Sequence, residues 1–373
     1  MQFELLKVDN AARVGKLVLP HGVVETPVFM PVGTNGAVKM CPRECAKRAG
    51  TQIVLANAFH LYIRPGLDVI KSFGGLHNFS SWDIPILTDS GGYQIFSLSK
   101  HVKVDNDGVT FKAPLDGTIH RFTPEKVVEI QEVIGSDIAM VLDECLAPGN
   151  DMKATETSLK RTSDWAKRAL EFHTRKDQAL FGITQGGFFK KTRVISTNEI
   201  TSMPFEGFAI GGLSVGEDFE TTLKMLDVVM PLMPANKPRY LMGVGDPKLM
   251  LEAVERGVDM MDCVLPTRMA RHGAVYTSRG KINIRASAYA FDKSPLDPEC
   301  KCEVCQNYSR GYIHHLIKRG ESTGMILATY HNMYFLHELM RNSRNAIREG
   351  NFSSFKRDFL KHLDESEKHV IVE

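Results

Sequence analysis

A carboxylate, Asp262, interrupts the otherwise apolar run MMDCVL, residues 260–265, within GVDMMDCVLPTRMAR. A short apolar run ending at a proline reads as a buried strand closing into a loop. A carboxylate at the end of such a strand must be paired, protonated or in use, because burying an idle charge is costly. From Cys263 to Phe291 the chain has no Asp or Glu but carries Arg268, Arg271, Arg279, Lys281 and Arg285. A lone acid beside a wholly basic stretch points to chemistry on a polyanion; the plainer reading is a turn-capping Asp beside a surface loop. A second cluster follows in CKCEVC, where Cys300, Cys302 and Cys305 fall within six residues. Three thiols so close cannot pair off among themselves and suit a soft divalent ion. A tetrahedral site needs a fourth ligand, and His314, His315 and His331 are near. The segment 308–319 reads as a helix on which His314 and His315 point different ways, and His331 is favoured, at the head of a helix over 332–347. A Cys3His set leaves no open position, so one Zn2+ per subunit would be structural and not catalytic.

These residues need a frame. Apolar or β-branched runs recur at 28–32, 52–56, 85–88, 138–142, 180–184, 208–211, 240–243 and 260–264. Helix-like segments alternate with them at 42–49, 66–73, 123–134, 155–172, 188–201, 219–230 and 247–256. Thr123-Pro124-Glu125 makes a good helix start, with a capping threonine and proline in the first turn. The alternation predicts an α/β fold with a parallel sheet, and its size suits a (β/α)8 TIM barrel. Residues 1–26 read as an N-terminal antiparallel lid of two or three strands, 27–281 as the barrel, and 282–373 as a zinc-binding subdomain with C-terminal helices. The barrel rhythm lapses at 97–122, which reads as a hairpin excursion over the mouth. Chemistry-bearing residues gather just past the strands: Asp89, Ser90 and Tyr93 after the third, Asp143 and Cys145 after the fourth, and Gln185 after the fifth. Gly212 and Leu213 follow the sixth strand, Met242 ends the seventh and Asp262 the eighth. A barrel brings all of these to one mouth. Each alone has a plain reading as a helix cap, a tight turn or core packing.

Composition adds bounds. With 43% hydrophobic and 24% charged residues and a net charge of +2, the chain has ordinary globular make-up, so only the local basic stretch argues for nucleic acid. No signal-peptide region, no membrane-spanning run and an odd count of seven cysteines predict a cytoplasmic protein with no membrane association. There is no Walker loop, and Gly243-Val244-Gly245 lacks the third glycine of a dinucleotide fingerprint.

TDSGGYQIFSL (88–98), FAIGGLSVGE (208–217), YLMGVG (240–245), MDCVLPTR (261–268) and CKCEVC (300–305) together resemble the bacterial tRNA-guanine transglycosylases, also called queuine tRNA-ribosyltransferases. The likeness spans nearly the whole chain, and the combination of motifs is far more specific than any one. It implies a barrel with a zinc subdomain that exchanges the wobble guanine of GUN-anticodon tRNAs for 7-aminomethyl-7-deazaguanine in queuosine biosynthesis. By motif match Asp262 would be the nucleophile, forming a covalent aspartyl-ribose ester, and Asp89 the general acid/base. This is the retaining-glycosidase plan, with two displacements at one carbon. The resemblance further implies that Asp143 binds the purine N1 and exocyclic amine, and that Gln185 and the Gly212 amide face O6. Tyr93 and Met242 would sandwich the ring beside Ser90 and Cys145, and the Leu213 carbonyl would accept from the aminomethyl ammonium. Arg268, Arg271, Arg279, Lys281 and Arg285 would touch phosphates of the tRNA anticodon loop. Cys300, Cys302, Cys305 and His331 would hold the zinc, and the protein would be a homodimer. Leu213-Ser214-Val215 and Cys145 are choices of the bacterial branch, and the extra C-terminal domains of archaeal relatives are not expected. Met261 stands where phenylalanine is usual, and Met269 and His272 lie in a variable stretch; neither departure touches the expected chemistry. Two rivals are a non-catalytic accessory subunit and a nucleoside hydrolase, and keeping both Asp89 and Asp262 speaks against the first.

Overall fold

The computed structural model describes residues 1–98 and 100–370, so Ser99 of the expected hairpin and the last three residues of the expected C-terminal segment lie outside the described residues. The chain opens with three antiparallel strands, β1 (Gln2–Asp9), β2 (Ala12–Leu19) and β3 (Gly22–Thr26), in the order β1-β2-β3. Eight parallel strands then build the barrel: β4 (Val28–Pro31), β5 (Val54–Asn57) and β6 (Ile86–Asp89) come first. After an excursion of three short strands, β7 (Lys100–Asp105), β8 (Gly108–Lys112) and β9 (Ile119–Phe122), come β10 (Ile138–Met140) and β11 (Ala179–Thr184). β12 (Gly207–Ile210), β13 (Arg239–Leu241) and β14 (Met260–Cys263) complete the set. Hydrogen bonding runs β4-β14-β13-β12-β11-β10-β6-β5, and a parallel bridge between Val32 and Leu55 closes the ring back to β4. Nearly every strand residue is buried, as expected when one face meets the barrel interior and the other its helices.

Helices α1 (Arg43–Arg48), α2 (Ala58–Ile63), α3 (Leu67–Ser72), α4 (Leu76–Ser80) and α5 (Gly92–Leu98) accompany the early strands. Next come α6 (Pro124–Ile134), α7 (Met152–Phe172), α8 (Lys190–Thr201), α9 (Phe219–Val229) and α10 (Pro247–Glu255). α6 starts as its sequence predicts: the Thr123 hydroxyl accepts from the Lys126 amide, Pro124 occupies the first turn, and Gly135 ends the helix at φ 72°. α11 (Leu265–Arg271) is a helix where the sequence reads a loop, and α2, α4 and α5 are short helices outside the segments named from the sequence. They are short; α2, α4 and α11 have no side-chain cap hydrogen bond, although Pro266 in the first turn of α11 is a start signal. The segment after Asp262 is thus a helical turn carrying Arg268 and Arg271, and not a loop.

The N-terminal sheet is a floor and not a cover for the mouth. Arg13 donates to both carboxylate oxygens of Asp259 (2.8 and 2.6 Å), the residue just before β14. The His21 amide donates to Asp137, just before β10, and the Glu25 amide to Gln52, just before β5. All three anchors lie at the N-terminal ends of barrel strands, opposite the end where Asp89 and Asp262 sit. The excursion β7–β9 leaves from the mouth side; its Phe111 and Phe122 rings meet Phe59 and Tyr62, which follow β5.

Beyond the barrel a hairpin of β15 (Ala274–Thr277) and β16 (Gly280–Asn283) leads to α12 (Glu303–Asn307), α13 (Arg310–Arg319), α14 (Ser322–Glu349) and α15 (Phe352–Val370). α14 is one 28-residue helix, so His331 lies inside it and not at the head of a helix starting at 332. The apolar run 324–330 continues the same helix without a break. α14 contacts β4, α10 and α1 and so fills the helical position that follows the eighth strand, while also packing on α12 and α13. One element therefore ties the cysteine cluster to the barrel wall. Among the described residues no helix is long and apolar enough to cross a membrane.

Candidate active site and metal centre

Asp262 stands beside Met30 of β4, and Asp89 beside Asn57 of β5. Asp262 on β14 and Asp89 on β6 are separated along the rim by the neighbouring strands β4 and β5, and the charge of Asp262 helps to raise the pKa of Asp89. Asp89 is buried; its carboxylate accepts from the Asn57 side-chain amide and from the Ala58 amide at 3.0 Å. Burial is the larger effect and lifts the Asp89 carboxyl to about 7, against the pull of those donors. Asp262 is also buried, and burial raises its pKa above the ordinary carboxylate value. Two donors oppose that rise, both at Oδ1: the Tyr240 hydroxyl at 2.5 Å and the Gly243 amide at 2.8 Å. The environments thus differ in kind. Asp89 is poised to gain or lose a proton near neutrality, while Asp262 has one oxygen, Oδ1, fixed by two donors from β13 and the turn after it.

A third buried acid lies deeper along the rim. Asp143 accepts from Gln185 Nε2 at 2.6 Å and from Ser90 Oγ at 3.3 Å, and burial pushes its carboxyl up to about 6. The Gln185 amide presses on the loop after β12: a side chain at Gly212 would put Cβ 2.3 Å from Gln185 Oε1, and Gly212 is left-handed at φ 64°. Only glycine fits there. Cys145 is half-buried beside Asp143 and Gly212, and burial pushes its thiol up to about 12, so it stays protonated. Leu213 is buried, Met242 is half-buried, and Tyr93 at the start of α5 is 56% exposed. Hydrogen bonds and close contacts thus join Ser90, Asp143, Gln185, Gly212 and Cys145. Asp89, Asp262, Tyr93 and Met242 line the same end of the barrel by their place at strand ends.

The sequence reading passed over Asn57, Tyr240 and Arg193. Asn57 ends a barrel strand and Tyr240 lies two residues before Met242, positions that could have been weighed as mouth residues. Arg193, in the first turn of α8, carries no local sign of its place.

Cys300, Cys302, Cys305 and His331 converge, with ligand atoms all within 4.8 Å of one another. His331 Nδ1 lies 3.3 Å from Cys305 Sγ and 3.5 Å from Cys302 Sγ. Its Nε2 lies 2.7 Å from the Tyr276 carbonyl, which fixes the tautomer that leaves Nδ1 for a metal. The Cys302 and Cys305 amides point at sulfurs of the cluster, the pattern that stabilises thiolates. The donor set fits a tetrahedral ion, and it is saturated by the protein. His314 is not among the converging donors, and its Nδ1 lies 2.8 Å from the Ile284 carbonyl instead. Of the basic residues, Arg268, Arg279, Lys281 and Arg285 are exposed. Arg271 is half-buried and bonds the Thr267 carbonyl; Arg279 approaches Glu299 at 4.0 Å.

Eight parallel strands with buried acids at one mouth, and a Cys3His cluster joined to the barrel wall through α14, define a (β/α)8 barrel enzyme with a candidate metal centre. A family model described as queuine tRNA-ribosyltransferase matches residues 9–365. The queuine tRNA-ribosyltransferase of Thermosipho africanus is 52% identical over 363 residues, covering 97% of this chain and 99% of that protein. That of Desulforamulus reducens is 53% identical over 361 residues (97% and 98%), and that of Aquifex aeolicus 50% over 374 residues (97% and 98%). The chain belongs to the queuine tRNA-ribosyltransferase family and is an enzyme of the pentosyltransferase class.

Proposed function

We propose that this tRNA-guanine transglycosylase replaces the wobble guanine of GUN-anticodon tRNAs with 7-aminomethyl-7-deazaguanine, by double displacement through an aspartyl-ribose ester. The second carboxylate oxygen of Asp262, Oδ2, attacks ribose C1′ as the C1′–N9 bond breaks. The bond pair goes to guanine, which takes a proton from Asp89. The incoming base then gives its N9 proton to the Asp89 carboxylate and attacks C1′, releasing Asp262. Configuration at C1′ is inverted twice and so retained. The observation that carries this reading is the contrast between the two acids: one with a value of about 7, the other pinned by Tyr240 and Gly243. A single group that must donate a proton and then take one back works best near the ambient pH.

In this reading Asp143 accepts from the base's N1–H and exocyclic amine, Gln185 and the Gly212 amide donate to O6, and the Leu213 carbonyl takes the aminomethyl ammonium. Tyr93 and Met242 cover the ring faces; the exposure of Tyr93 suits a residue that substrate will cover. Ser90 supports Asp143, and Cys145 packs at the pocket wall. The target nucleotide must leave its stack to reach so buried a pair of acids. Arg268, Arg271, Arg279, Lys281 and Arg285 hold phosphates without reading sequence. Zinc, held by Cys300, Cys302, Cys305 and His331, supplies structural bracing of α12 against α14 and takes no part in the transfer. A homodimer would let one subunit react while the other helps to hold the tRNA. The test is incorporation of labelled guanine, and then of the 7-deazaguanine, into an anticodon stem-loop containing U-G-U. Uptake of both supports the proposal; release of free guanine with no incorporation would make the protein a hydrolase.

A further inference from the structure

Arg193 is wholly buried, yet none of its hydrogen bonds goes to a carboxylate. Its guanidinium donates from Nε to the Gly187 carbonyl at 2.7 Å, from Nη1 to the Gly211 carbonyl at 2.7 Å and from Nη2 to the Gly212 carbonyl at 2.9 Å. A buried cation is kept only where its hydrogen bonds are met, and here three backbone carbonyls meet them. Those carbonyls come from the two rim loops that carry Gln185 and Gly212. The residue therefore ties the loop after β11 to the loop after β12.

The direction of those bonds matters. In a trans peptide the carbonyl and the following amide point opposite ways. With the Gly211 and Gly212 carbonyls both turned to the guanidinium, the Gly212 and Leu213 amides of the same peptide units face away from it. The Gly212 amide meets the Cys145 sulfur on the pocket side. Glycines can flip such peptides at little steric cost, and Gly212 already sits at positive φ. A flip would replace an amide donor in the pocket with a carbonyl acceptor.

We propose that Arg193 is a positioning residue that sets the base's position-6 specificity, by holding the Gly211 and Gly212 peptides so that their donors face a 6-oxo group. The assignment rests on the base-binding reading above and extends it: the pocket recognises an acceptor at position 6 because Arg193 removes the alternative peptide orientation. The pocket's other recognition element, Asp143, sits on a different strand end and is held by Ser90 and Gln185. The Ser90 contact holds Asp143 independently of Arg193, so position-2 selectivity should change much less than position-6 selectivity.

The experiment measures exchange into the stem-loop with guanine, 6-thioguanine and hypoxanthine. 6-Thioguanine keeps N1–H and the amine but weakens the acceptor at position 6; hypoxanthine keeps the 6-oxo group but lacks the amine. In wild type guanine is favoured over 6-thioguanine about 10-fold or more in kcat/KM. In Arg193→Met that ratio falls towards one and KM for guanine rises about 10-fold or more. The guanine-to-hypoxanthine ratio and KM for the stem-loop stay within about threefold of wild type. Arg193→Lys, which keeps the charge and reaches one carbonyl, falls between the two. Loss of both ratios together, or of neither, would assign Arg193 to general packing and overturn the proposal. A wild type that accepts 6-thioguanine as well as guanine overturns it without any variant, which covers the case of a variant that does not fold. A wild type that exchanges no guanine sinks the base-binding reading first, and this assignment with it.

Discussion

Asn57→Ala tests the division of labour between the two acids. In the first displacement Asp89 must carry a proton, so kcat/KM for RNA should fall about tenfold per unit above pH 7, while a separate acid limb belongs to Asp262, which must be ionised to attack. The alkaline limb sits near 7 because burial lifts Asp89 to about that value, and it would sit higher still without the Asn57 and Ala58 donors, which favour the carboxylate. A hydrogen bond to a charged group contributes about 1.5–3 kcal/mol. At about 1.4 kcal/mol per unit, removing the Asn57 donor should raise the folded-state value by roughly 1 to 2 units. The alkaline limb of Asn57→Ala should therefore move from about 7 to 8 or above, and the variant should outperform wild type, relative to its own maximum, at pH 8.5. The assay is labelled-guanine exchange into the stem-loop across pH 5.5–9.5 at low RNA concentration. A limb that stays at 7, or moves down, would refute the assignment of that ionisation to Asp89.

Two further outcomes follow from the same geometry. Tyr240→Phe removes a donor that favours the Asp262 carboxylate, so the acid limb of kcat/KM should move up in pH; an unmoved acid limb would separate Tyr240 from the nucleophile. Cys302→Ser should lower bound zinc, read by atomic absorption, from about one ion per chain towards none and cut the thermal midpoint by several degrees. Unchanged metal content would place the ion elsewhere.

Much of the architecture is legible in the chain because a parallel barrel writes each strand as a continuous apolar run, buried on both faces. All eight runs correspond to barrel strands, and Thr123-Pro124 marks a true helix start. The short helices after the strands are not legible, since Ala58–Ile63 and Leu265–Arg271 lack the caps that announce a helix. His331 lies within α14 because the apolar residues before it continue the same helical face. The side-chain partners are the least legible part. Asn57 bonds Asp89 across 32 residues, and Tyr240 bonds Asp262 across 22, so barrel closure and not local pattern creates both pairs. The floor position of β1–β3 likewise depends on Arg13 finding Asp259, 246 residues away.

Isolation of the reaction intermediate bears most directly on the central claim. The protein is mixed with stem-loop RNA and a base analogue that cannot complete the second displacement, then denatured, digested and sequenced by mass spectrometry. The account predicts a ribose-linked peptide with its ester on Asp262, absent from Asp262→Asn while that variant keeps its zinc. An adduct mapped to Asp89 or Asp143, or turnover surviving in Asp262→Asn, would contradict it.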